Sequence, residues 1–110
     1  MTTDRELLEL AAKAAGRWNN TDPWNGMLKS TGQYWNPLTD DGDALRLAVK
    51  LKFDICHDNN DTDKSGKQIE HVNVWPFNGG LGSSEDLQSD PYAATRRAIV
   101  RAAAEIGRGM

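Results

Sequence analysis

DTDKSG, residues 61–66, sets oxygen side chains on alternate positions, Asp61, Asp63 and Ser65, and follows them with Gly66. That is the first half of a calcium loop, in which the glycine makes the sharp turn. A twelve-residue loop begun at Asp61 also needs an apolar eighth residue and a bidentate carboxylate at its twelfth. Those positions hold Gln68 and Val72, and Glu70 falls two places early. The flanking residues alternate like strands, whereas the calcium hand is built from helices. The stretch is therefore expected to be a hydrophilic hairpin turn with Gly66 at positive φ. Asp58, Asp61 and Asp63 remain the candidate ligands of any cation, and no resident metal or cofactor is expected.

Other groups have simpler structural roles. DDGD at 40–43 could hold magnesium, but an N-cap at Asp40 or Asp41 and a carboxylate near the positive end of a helix dipole account for the same residues. Cys56 and His57 are adjacent in a strand pattern and so point to opposite faces, which rules out a nucleophile–base dyad. His57 and His71 can meet across a hairpin, yet two histidines make an incomplete zinc site. Cys56 is expected to be a small buried thiol. GGLG at 79–82 has neither the Lys-Ser/Thr of a phosphate loop nor dinucleotide spacing, and is expected to be a loop.

The arginines of the last helix, Arg96, Arg97, Arg101 and Arg108, read as its solvated face, with Arg101 and Glu105 spaced to pair along the helix. Residues 76–110 carry four acidic and four basic side chains, so nucleic acid is not the expected partner. Four tryptophans stand out. Trp35 and Trp75 belong to core elements and are expected to fill the core. Trp18 and Trp24 lie in the polar run RWNNTDPWNG, where they are either a lid over the first helix or anchors for a partner.

Positioning these groups falls to a single domain, residues 1–110. The composition, 38% hydrophobic and 26% charged, is that of an ordinary globular chain, and the net charge of −3 gives no reason to expect an anionic partner. One cysteine excludes an internal disulfide framework. No apolar run approaches the ~20 residues of a membrane span, and MTTDRELLEL lacks the basic-then-apolar form of a secretory signal. A cytoplasmic location is expected.

Thr3 and Glu6 form a capping box that opens a helix over roughly 4–15, ended by Gly16. Residues 17–33 read as a loop, and Tyr34-Trp35 as a brief strand. A second helix follows, with Ala44, Leu45, Leu47, Ala48 and Leu51 as its apolar stripe. KFDICH then alternates, with Phe53, Ile55 and His57 on one face and Asp54 and Cys56 on the other. After a polar loop, QIEHVNVWPF alternates again, with Val72 and Val74 opposite Ile69, His71 and Trp75. The two strands are expected to pair as an antiparallel hairpin. NGGLGSSEDLQS reads as a second loop. Asp90 and Pro91 open the last helix, Ala94, Ala98, Ile99, Ala102, Ala103 and Ile106 form its stripe, and Gly107 ends it. The order helix–(short strand)–helix–strand–strand–helix predicts an α+β fold with a small antiparallel sheet covered by helices.

The helix-plus-Trp start, the turn from Trp35 through Asn36, Pro37, Leu38 and Thr39 to Asp40, the hairpin and the closing stretch Ala93–Ala103 resemble the phage ABA sandwich domain. That family comprises small proteins of tailed phages and prophages, and the resemblance covers most of residues 4–107. It implies a three-layer helix–sheet–helix sandwich in the host cytoplasm and brings no established catalytic residues with it. The expectation is a non-catalytic phage or prophage accessory protein that binds a host or competitor protein, in host takeover or counter-defence. Trp18, Trp24, Arg97 and Arg101 are its candidate partner-binding residues. A homodimer is compatible with the sequence. The alternatives are a small-ligand-binding domain and a nucleic-acid-binding regulator using the arginine face. An enzyme ranks last, because no acid–base or nucleophile constellation is present.

Overall fold

The computed structural model describes residues 3–17, 34–62, 64–77, 79, 82–87 and 90–110. Within them are three helices, α1 (Asp4–Ala14), α2 (Asp41–Lys50) and α3 (Pro91–Arg108). Three strands, β1 (Phe53–Thr62), β2 (Gln68–Pro76) and β3 (Ser83–Asp86), form one antiparallel sheet in the order β1-β2-β3. The class is α+β, with helices layered on a small antiparallel sheet broadly as expected. The element order, α1-α2-β1-β2-β3-α3, differs. Tyr34 makes one isolated bridge in place of a short strand with Trp35.

β3 lies inside the stretch expected to be a loop. Its four residues, SSED, have no apolar alternation to betray a strand. Their backbone pairs with β2, from His71 opposite Asp86 to Val74 opposite Ser83. The approach is tight at its start: a Cβ on Gly82 would overlap the Val74 carbonyl oxygen and lie 2.8 Å from Trp75 Cβ. β1 also exceeds expectation. It continues through Asp61 and Thr62, which stand opposite Ile69 and Gln68. Between Asp58 and Asp61 the register shifts, so that two β1 residues oppose one of β2, the signature of a bulge. The polar loop expected between the two strands is thus shortened at its start, and Gly66 takes the expected positive φ, +85°.

Side chains close the helix starts as their types require. Thr3 Oγ1 accepts from the Glu6 amide at 3.1 Å, Asp40 Oδ1 from Gly42 at 2.9 Å and Asp90 Oδ1 from Ala93 at 3.0 Å. Of the two candidate caps of α2, Asp40 is the one used. α3 does not stop at Gly107 but runs to Arg108, and Gly107 is buried in the seam with α1. A Cβ there would overlap the Leu10 carbonyl oxygen and lie 2.7 Å from its carbon. The glycine marks a close crossing, which needs the same missing Cβ as a helix stop.

α3 is the central element. It packs against α1, α2, β2 and β3. Its buried residues therefore exceed one stripe: Val100 and Ala104 join Ala98, Ile99, Ala102 and Ala103. Leu7, Ala11, Ala12 and Ala15 of the α1 region, Trp35, and Ala44, Leu47 and Ala48 of α2 complete the helix side of the core. Leu45, expected in the α2 stripe, is instead 61% exposed, because the inward arc is taken by Asp43, Ala44, Leu47 and Ala48.

Candidate functional site

The β1–β2 register sorts the sheet into two faces of opposite character. Phe53, Ile55 and His57 stand opposite Pro76, Val74 and Val72 on the helix side, where both valines are fully buried. The other face carries Asp54, Cys56 and Asp58 from β1, His71, Asn73 and Trp75 from β2, and Ser84 and Asp86 from β3. Asp54, Cys56, Ser84 and Asp86 are exposed, and Trp75 is 38% exposed. Three carboxylates thus share this face with an accessible indole, and no lysine or arginine lies among these positions.

Local bonds hold the carboxylates in place. Asn73 Nδ2 donates to Asp58 Oδ2 at 2.6 Å, and His71 Nδ1 lies 2.8 Å from Asp86 Oδ1. Asp54 is the direct cross-strand neighbour of Trp75. An aromatic face bordered by anions suits a cationic partner, through charge complementarity and through contact of a cation with the ring.

Trp75 and Cys56 are corrections to the sequence-based expectation, which buried both. Alternation places them with Asp54 on the outer face, and which face is buried depends on where α3 lies. Cys56 is an exposed free thiol, 3.9 Å from the His57 carbonyl oxygen. The two histidines part company for the same reason: His57 faces the helices, with Nε2 3.2 Å from Thr95 Oγ1, while His71 faces outward beside Asp86.

The arginines of α3 are held across elements. Arg97 donates to Asp4 of α1 at 3.0 Å and lies 3.9 Å from Glu85 of β3. Arg101 donates to the same Glu85. Arg101 and Glu105 do not pair as expected: Glu85, anchored in β3, sits between the two arginines, and Glu105 lies 3.5 Å from Arg108. Arg96 donates to the Leu38 carbonyl at 2.8 Å and to Asp41 at 2.6 Å. Arg97 and Arg101 are therefore brought together, around an internal carboxylate. Trp18, Trp24 and Asp63 lie outside the described residues, as does the Asp61 side chain. Of the candidate cation loop, only the Asp58 carboxylate is described, on the outer face.

One polar residue buried by the fold was assigned only a dipole role from sequence. The Asp43 side chain is 1% exposed, accepting from the Asn36 amide at 2.9 Å and from Arg46 Nη2 at 2.9 Å. Asn36 Oδ1 in turn accepts from the Leu38 amide at 3.1 Å. These bonds tie the Asn36-Pro37 turn to α2. The signal was the spacing from Asn36 to Asp43, seven residues that bracket a capped helix start. Asp43 also borders a cavity of about 110 Å³ between the end of α1, Trp35 and α2.

Among the described residues no helix is long and apolar enough to cross a membrane. No family model, no curated protein and no solved structure matches the chain.

Proposed function

We propose that this chain is a non-catalytic binding protein that engages a basic surface of another protein through the outer face of its sheet. The carrying observation is the grouping of Asp54, Asp58 and Asp86 with accessible Trp75 on one face, with no lysine or arginine among its described paired positions. The resemblance to the phage ABA sandwich domain supplies the setting. In that setting it is a phage or prophage accessory protein in the host cytoplasm, acting on a host or competitor protein. The internal bonds of Arg97 and Arg101 favour the outer sheet face over the arginine face as the contact surface. Like charges also oppose self-association through this face, so a homodimer would use another surface.

The test is recovery of a partner from host lysate by tagged protein, across a salt series. Wild type should retain a partner at low salt and release it as salt screens the contact. Asp54→Lys, alone and with Trp75→Thr, should lose that partner while the Asp54→Lys melt stays unchanged. Equal recovery by wild type and both variants would exclude this face.

A further inference from the structure

The cavity beside Asp43 has the opposite charge. Arg17, Arg46 and Lys50 line it with Trp35 and Asp43, so among the described residues three cations face one carboxylate. Asp43 is already engaged by the Asn36 amide and by Arg46. Arg17 is held differently. Its guanidinium carbon lies over the Trp35 ring, 5.3 Å from the centroid, a cation–aromatic contact. Arg17 Nε is shut off from water and has no hydrogen-bond partner among the described residues. The rest of the guanidinium lines the cavity. Lys50, in the last turn of α2, brings its ammonium to the end of α1, 3.9 Å from where a Cβ on Gly16 would stand.

We propose that this cavity binds a phosphate group. Charge and size select it. Among the described lining residues two cations remain in excess after Asp43 is counted, and a phosphate near neutral pH carries close to two negative charges with several acceptor oxygens. Arg17 supplies the planar fork that grips such oxygens in pairs, and Lys50 supplies a mobile point charge. The cavity, about 110 Å³, is small and suits one compact anion. The group is therefore either free inorganic phosphate or the phosphate of a small monoester whose remainder lies outside.

The test is titration calorimetry of the full chain with sodium phosphate and, separately, with glycerol phosphate, in chloride buffer at constant ionic strength. Saturable binding of phosphate is expected. It should weaken about tenfold or more in Arg17→Gln and in Lys50→Gln, the cost of one charge-assisted contact. Lys64→Gln in the β1–β2 turn is the control and should bind as wild type does. Equal binding of both probes assigns a monoester, and binding of inorganic phosphate alone assigns the free ion. Lys50 is exposed, so Lys50→Gln remains informative if Arg17→Gln does not fold. Absence of saturable binding to wild type, or equal affinity in Lys50→Gln, overturns the proposal. Asp54→Lys should leave phosphate binding intact, which separates this site from the sheet face.

Discussion

The seam between α1 and α3 and the outer face of the sheet obey different rules. Along the seam, alanines and Gly107 set how closely two backbones approach, and the Leu10 carbonyl occupies the place a Cβ at Gly107 would take. At Gly107 there is no room for a side chain to grow. On the outer sheet face, Asp54, Cys56 and Trp75 end at water, and their strand positions are set by backbone pairing and by the valines on the other side. That face tolerates change because it contributes little to the core. The residues that specify the fold and those available for recognition are thus physically separate.

The strongest way to break this contrast is Gly107→Ala. Overpacking against backbone that cannot rotate away should cost about 3 kcal/mol in urea denaturation, the upper end for one added methyl. A loss below about 0.5 kcal/mol, the usual range of a surface change, would mean the seam adjusts as freely as the surface does. Two sheet positions one strand apart sharpen the comparison. Val72→Ala, on the helix side, should cost about 2 kcal/mol from lost burial and the residual cavity. Cys56→Ser, on the outer side, should stay within about 0.5 kcal/mol. Native Cys56 should also react fully with iodoacetamide without denaturant, and resistance to the reagent would contradict its exposure.

Asp43 tests the helix side at a polar residue. Asp43→Ala strands the Asn36 amide and should cost about 2 kcal/mol in denaturation. Asp43→Asn keeps an acceptor there and should cost about half as much, because the Arg46 side chain is 69% exposed and its charge is screened. Equal losses would assign the effect to the charge. Lys52 lies between α2 and β1 at φ +56°, where a side chain is disfavoured, so Lys52→Gly should raise stability by roughly 1 kcal/mol. The smallest effect is expected at the turn side of the sheet. Melts in millimolar calcium and in chelator should coincide, since Val72 stands where a calcium loop requires a carboxylate, and a rise of several degrees with calcium would count against this.

Features decided within a few residues of chain were legible from the residues alone. The caps at Thr3 and at Asp90-Pro91, the alternation of β1 and β2, and the α+β class all follow from short-range hydrogen bonding and hydrophobic period. The candidate sheet face was half visible: alternation grouped Asp54 with Cys56, and His71 with Trp75, without showing that this side would stay open. β3 left no trace, because a strand of four polar residues is held by the backbone of β2 rather than by its own pattern. Gly107 looked like a stop because a helix end and a close crossing both select a missing side chain. Arg101 and Glu105 had the right spacing to pair, but Glu85 arrives from β3 and takes the arginine. Asp43 is engaged by the turn before its helix and borders a cavity with Arg17, which is far away in the chain. Most of these depend on how elements separate in the chain pack against one another, where local periodicity has nothing to report.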